Sequence, residues 1–251
     1  MSAGTILQER SGSVAILRLE RPPANAMDIA FGERVDAELT RLEQSADVGA
    51  VMITGSGSCF SAGLDLKIVP TYGADEQRRL IEATGRAFAR LYAFPLPTVA
   101  AINGHAIAGG LVLALCCDYR LAASGDYKIG LTEARVGVPF PIVPMSIVRA
   151  ELAPAVAREL VLRARNTTPA DALARGIVDE IQSPDRLLPR ALEVAAEMAE
   201  LPRITFGKIK RQLRSGTLAL INESLDHGDP ILSDWLTAET LKAAAAVLGM
   251  R

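Results

Sequence analysis

Through the first two thirds of the chain, hydrophobic positions fall in short runs separated by Gly, Ser and Pro. In the last third they recur at helical spacing. Thr5–Arg10 and Val14–Leu19 read as two strands of a hairpin, joined by Ser11-Gly12-Ser13. Arg21-Pro22-Pro23-Ala24-Asn25-Ala26 reads as a loop, because paired prolines cannot enter a sheet interior. Asp28 is placed to cap a helix reaching about Gln44, with Phe31, Val35, Leu39 and Leu42 on one face. Ala50–Thr54 predicts a buried strand that feeds a Gly- and Ser-rich loop, Gly55 to Gly63. A helix follows from Asp75 to near Phe94, stopped by Pro95 and Pro97. Thr98–Ile102 is a further apolar strand, Ala106–Cys117 a buried helix, and Tyr119–Ala122 and Val136–Val138 are short strands. This alternation predicts an α/β fold.

After Pro154 the pattern turns helical, with segments Val156–Arg163, Pro169–Arg175, Leu187–Ala199, Arg203–Arg214 and Leu236–Leu248. The change of pattern is placed near Ser183-Pro184-Asp185. The predicted division is a core of residues 1–195 and a helical region of residues 196–251 that docks on the core or joins copies of the chain.

A length of 251 residues with 49 % hydrophobic content supports one large domain, with or without an appendage. A formal net charge of -2 argues against broad binding to nucleic acid or an anionic membrane surface. Cys59, Cys116 and Cys117 make an odd set, and a bridge between the adjacent pair would be badly strained. Reduced thiols and a cytoplasmic location are the expectation. No secretory signal pattern opens the chain, and Ala106–Cys117 is too short to span a bilayer.

The chemistry concentrates in Asn103–Asp118, NGHAIAGGLVLALCCD. Asn103-Gly104 is a turn, and Ala108-Gly109-Gly110 is a hinge at the mouth of the apolar helix. Glycines there leave backbone N–H groups bare, and the helix dipole adds partial positive charge. Such a mouth can stabilise a developing oxyanion without a charged side chain. Downstream, Gly130-Leu131-Thr132-Glu133 brings a lone carboxylate into an apolar stretch. Desolvation between Leu131 and Val136 would raise its pKa toward the range useful to a general base. The plainer reading of Glu133 is a loop acid paired with a neighbour such as Arg135, and that of each glycine is an ordinary turn.

Together with the Asn25-Ala26 loop, Phe60-Ser61-Ala62-Gly63-Leu64-Asp65-Leu66-Lys67 and Gly130–Gly137, this segment resembles the enoyl-CoA hydratase/isomerase, or crotonase, family. The resemblance implies ββα units wound into a superhelix, a helical C-terminal part that builds trimers or a dimer of trimers, and an acyl-CoA substrate with no further cofactor and no metal. It implies that the amides of Leu64 and Gly109 receive the thioester oxygen and that Glu133 is the catalytic carboxylate. It also implies substrate contacts from Asn25, Ala26, Ala62, Gly63, Asp65, Leu66, Lys67, Gly110 and Phe140, with Lys67 near the CoA phosphates. Lys208, Lys210 and Arg211 are further candidates for those phosphates, set against the default of a solvated basic helix face.

One position departs from the family's hydratases. Many carry a second glutamate three residues beyond the oxyanion glycine, and here that residue is Val112. Water addition needs activation of water and delivery of a proton to carbon, tasks suited to two acids. One base suffices to move a proton between C2 and C4. Ala108–Arg120 and Ile129–Glu133 resemble the Δ3,Δ2-enoyl-CoA isomerases most closely, so isomerase is expected ahead of hydratase or hydrolase, and a non-catalytic acyl-CoA binder stands as the alternative of another class. Asp75, Glu76 and Glu82 are conceivable second acids but fit a solvated helix face better. His105 and His227 lack partners at ligand spacing, which argues against a metal site, and His105 reads as a turn or packing residue. Cys116 and Cys117 read as core, and Asp118 as a fixer of local backbone hydrogen bonds.

Overall fold

The computed structural model of the protein describes residues 5–233 and 235–247. β1 (Thr5–Ser11) and β2 (Val14–Glu20) form the expected hairpin, and α1 (Ile29–Glu43) follows. The Asp28 carboxylate caps α1 by accepting from the Phe31 amide at 2.8 Å, and Phe31, Val35, Leu39 and Leu42 form its buried face. The chain then repeats one order of elements three times: a long strand, a short strand, a helix. These units are β3 (Ala50–Gly55), β4 (Cys59–Ser61) and α2 (Ala74–Ala93); β5 (Thr98–Ile102), β6 (His105–Ile107) and α3 (Gly109–Leu115); then β7 (Tyr119–Ala123), β8 (Ile129–Gly130) and α4 (Ile142–Glu151). The remaining elements are α5 (Pro154–Arg163), β9 (Asn166–Thr167), α6 (Pro169–Ala174), β10 (Glu180–Gln182), α7 (Pro184–Ala199), α8 (Arg203–Leu213), α9 (Ser215–His227) and α10 (Ala238–Val247).

The long strands build a sheet ordered β1-β2-β3-β5-β7-β10, parallel from β2 onward. Every residue of β3 and β5 is buried, as parallel strands covered on both faces require. The short strands build a second sheet, β4-β6-β8-β9, whose first three members are parallel.

Several expectations need correction. The loop placed at Gly55–Gly63 contains β4, and β6 precedes the apolar helix, which begins only at Gly109. Strands of two or three residues are too short for periodicity to reveal. Val136–Val138 is not a strand. It follows a 3-10 turn, Glu133–Arg135, and Gly137 has a φ of 64°, outside the range of a strand. Helices α4 and α9 had no counterpart in the sequence reading. Pro144 sits in the first turn of α4, where proline is tolerated although it signals a break. The last helix starts at Ala238 rather than Leu236, and Leu248 lies outside the described residues.

Helices α8 and α9 are tied to the core by buried charge. Lys210 Nζ lies 2.7 Å from Asp118 Oδ2, and Arg214 reaches Asp118 Oδ1 at 3.2 Å and Glu151 Oε1 at 3.7 Å. Arg120 joins Glu151 to Asp179, and Tyr92 donates to Glu151 at 2.9 Å. Asp118 also accepts from the Thr98 amide and hydroxyl, so it binds backbone as expected and two cations besides. Among the described residues no helix is long and apolar enough to cross a membrane.

Candidate active site

Because β4, β6 and β8 are parallel neighbours, their C-terminal ends open side by side. β4 leads into Ala62-Gly63-Leu64, β6 into Ala108-Gly109, and β8 into Leu131-Thr132-Glu133. Three segments distant in sequence thus reach one edge. There they bound a largely apolar cavity of about 320 Å³.

The first two segments touch. Gly63 has a φ of 76°, and a Cβ on it would lie 2.9 Å from both the Gly109 nitrogen and the Ala108 Cβ. Gly110 packs more closely still, since its Cβ would lie 2.0 Å from the Ser61 carbonyl oxygen. Ala108 itself turns the chain with φ 55° and ψ -128°, a strained backbone for an L residue. Met27 bridges Leu64 by donating to the Gly63 carbonyl and accepting from the Asp65 amide. Neither the Leu64 nor the Gly109 amide has an acceptor among the described residues.

Glu133 begins the 3-10 turn and is only 8 % exposed. Its Oε2 is buried without a hydrogen-bond partner among the described residues. Burial pushes its carboxyl up to about 8, and the Thr132 and Glu133 amides counter this only in part. The plainer reading, a pair with Arg135, does not hold: that guanidinium donates to the Ala164 carbonyl at 3.2 and 3.3 Å. An unpaired buried carboxyl facing a cavity can hold or take a proton near neutral pH.

The sequence pattern of the enoyl-CoA hydratase/isomerase family covers residues 9–235. The chain belongs to this family. It is 36 % identical over 199 residues to a Thermus thermophilus protein provisionally named an enoyl-CoA hydratase, covering 78 % of each chain. A short-chain-enoyl-CoA hydratase of Clostridium acetobutylicum is 26 % identical over 246 residues, 97 % of this chain and 94 % of that one. Among solved structures, human mitochondrial Δ3-Δ2-enoyl-CoA isomerase superposes with a TM-score of 0.90 at 27 % identity, covering 97 % and 96 % of the two chains. The repeated ββα winding and helical C-terminal region are therefore those of a crotonase-type enzyme.

Of the residues singled out in this family member's sequence, Ala26, Ala62, Leu64, Asp65, Leu66, Lys67, Gly109, Val112, Glu133 and Phe140 line the cavity. Asn25, Gly63 and Gly110 stand behind its wall. Asn25 is fully buried and holds loops together, donating to the Ser56 and Cys59 carbonyls and accepting from the Arg21 amide. Asp65 lines the cavity, but its carboxylate is engaged by Arg21 at 2.7 Å and by the Lys67 amide at 3.0 Å.

Lys210 cannot serve CoA phosphates from its place beside Asp118, where it is buried, whereas Lys208 and Arg211 are exposed. Asp75, Glu76 and Glu82 lie on the exposed face of α2, outside the cavity. His105 sits in β6, not in the turn, and its Nδ1 accepts from the Lys128 amide. Burial pushes the Cys59 thiol up to about 11, which leaves it a poor nucleophile. Among the described residues no group of three or more His, Cys, Asp or Glu is placed to hold a metal ion.

Sequence reasoning missed Met27, Phe88 and Pro139 in the wall, and it left Trp235 and Val247 to the helical region of residues 196–251. Trp235 is 2 % exposed within its own chain. Nothing in the local pattern around Trp235 signals a partner some hundred positions away.

Proposed function

We propose that this enzyme is a Δ3,Δ2-enoyl-CoA isomerase. Glu133, as carboxylate, takes a proton from C2 of a 3-enoyl thioester. The electron pair moves onto the thioester oxygen, and the resulting enolate accepts hydrogen bonds from the Leu64 and Gly109 amides. Collapse of the enolate shifts the double bond from C3–C4 to C2–C3 while the proton returns at C4. Lys67, exposed at the cavity rim, is suited to the CoA phosphates, and Phe140 to the acyl wall.

The observation that carries this reading is the count of free acids. Only Asp65 and Glu133 bring carboxylates to the cavity wall among the described residues, and Asp65 is held by Arg21. Val112, at the position where the family resemblance puts a second acid, lines the cavity. The hydratase names of the sequence relatives favour the second reading, water addition to a 2-enoyl-CoA.

The deciding test offers 3-enoyl-CoA and 2-enoyl-CoA separately in deuterated buffer, with products identified by mass. Isomerisation with exchange at C2 and C4 is expected. Hydration of the 2-enoyl thioester at about 1 to 10³ per second would overturn the isomerase assignment.

The functional unit of this reading is a homotrimer, or two trimers stacked. Ile204, Ile209 and Leu213 of α8 are 74 %, 57 % and 83 % exposed, an apolar face that a second copy would cover. A stable monomer in sedimentation at micromolar concentration would refute it.

A further inference from the structure

Residues 229–233 and 235–247 turn back over the loop Gly137–Pro141 and tie it down at both ends. Asp229 is buried, and its Oδ2 accepts from the Ile142 amide at 2.6 Å while Oδ1 accepts from the Ile231 amide at 3.1 Å. The Trp235 indole N–H donates to the Pro139 carbonyl at 2.9 Å. The Thr240 hydroxyl, 1 % exposed, donates to the Gly137 carbonyl at 2.6 Å.

On its other side the same loop grips the acid. The amides of Val136 and Val138 both donate to the Glu133 carbonyl at 3.0 Å. The Trp235 ring packs in an apolar cluster with Val69, Leu80, Ile81, Val136 and Val138, and it also forms part of the cavity wall. The sequence offers this segment as part of a helical region that docks on the core or joins copies of the chain, and Trp235, Thr240 and Ala244 are each at most 2 % exposed within a single chain.

We propose that residues 229–247 form an intrachain strap, and that Trp235 is a positioning residue that fixes the Glu133 carboxylate and shields it from water. The inference rests on Glu133 being the base. The indole N–H sets the height of the Pro139 carbonyl, and the ring fills the space through which water would reach the carboxylate. Among its described residues the strap brings no charge into the cavity. Asp229 is engaged by two amides on the far side of Pro141, and Glu239 and Lys242 of α10 are exposed. The other charged groups on the cavity wall are Asp65, paired with Arg21, and Lys67 at the rim. Dry surroundings are therefore what hold the Glu133 proton, and removing the ring lets water in.

The test compares Trp235→Phe, Trp235→Ala and Thr240→Val by kcat, KM, the pH profile of kcat/KM and thermal melting, on whichever enoyl thioester the wild type turns over. Trp235→Ala is expected to lower kcat about tenfold to a hundredfold, as misplacement of a reacting group does, with KM changing much less. It should also move the acid limb of the profile down by about one pH unit or more, toward the ordinary carboxylate range. Trp235→Phe keeps the ring and loses the donor, so kcat should fall while the limb stays. Thr240→Val changes little volume and reports on the strap even where Trp235→Ala fails to fold. It should lower kcat more than it changes KM.

If all folded variants keep kcat and the acid limb of the wild type, the strap is a structural tie only and the proposal fails. Glu133→Gln separates the two ideas. If that variant retains both activity and the same acid limb, the assignment of Glu133 is at fault.

Discussion

Replacing Glu133 by glutamine makes a prediction that links stability to function with opposite signs. The folded protein holds this carboxyl's proton up to about pH 8, whereas an unfolded chain releases it near the ordinary carboxylate value of 4.5. Below about pH 4.5 both states are protonated, and acid and amide are close to equivalent. As pH rises from there the unfolded chain ionises and the folded chain does not, so wild-type stability falls until about pH 8 and then levels. Glutamine never ionises and escapes this loss.

At one pKa unit per 1.36 kcal/mol, the variant should exceed wild type by about 3 kcal/mol at pH 7. The margin should widen by about 3 kcal/mol between about pH 5.5 and about pH 8. In a chain of this size an advantage of about 3 kcal/mol raises Tm by about 6–12 °C. Turnover should fall by about 10² to 10⁴, because the amide cannot accept the proton. Urea or thermal unfolding of both proteins across this pH range, with turnover assayed in parallel, checks both halves. A stability difference that stays flat with pH would mean that Glu133 is not an unpaired buried acid. Turnover within a few-fold of wild type would mean that the proton is handled elsewhere.

Val112→Glu should place a second carboxyl in the cavity, held as the neutral acid, and confer or raise water addition to a 2-enoyl-CoA at some loss of stability. Product analysis by mass tests it, and unchanged hydration in a folded variant would refute the single-acid argument. Gly110→Ala should lower kcat/KM more than tenfold and cost about 1–3 kcal/mol, because the added carbon meets the Ser61 carbonyl at 2.0 Å. Melting curves and kinetics check this together. Asp118→Asn should lower stability by about 3–5 kcal/mol in urea unfolding, since Lys210 and Arg214 would keep buried charge without their carboxylate.

Legibility in the sequence followed the size of the signal. Strand Thr98–Ile102 and the Asp28 cap could be read directly, because a five-residue apolar run and a capping carboxylate are local features. The oxyanion segments and Glu133 stood out through glycines and through a charge in apolar surroundings. The small sheet that unites them was hidden, since Cys59–Ser61, His105–Ile107 and Ile129–Gly130 are strands only by virtue of one another. Lys210 looked like a surface cation because its partner Asp118 is 92 positions away. Trp235 is paired over a similar distance, its acceptor Pro139 lying 96 positions back.

The buried cluster of Asp118, Glu151, Lys210 and Arg214 has a consequence for how this chain can be cut and recombined. Its acids lie ahead of residue 196 and its bases after it, so each piece carries half of a neutralised set. A fragment ending near Ala199 would leave Asp118 at a core face without counter-charge and Glu151 with Arg120 alone. A chimera that takes helices α8 and α9 from a relative lacking these bases would inherit the same fault. By the same rule, the tail of this enzyme is exchangeable only together with the two acids that receive it.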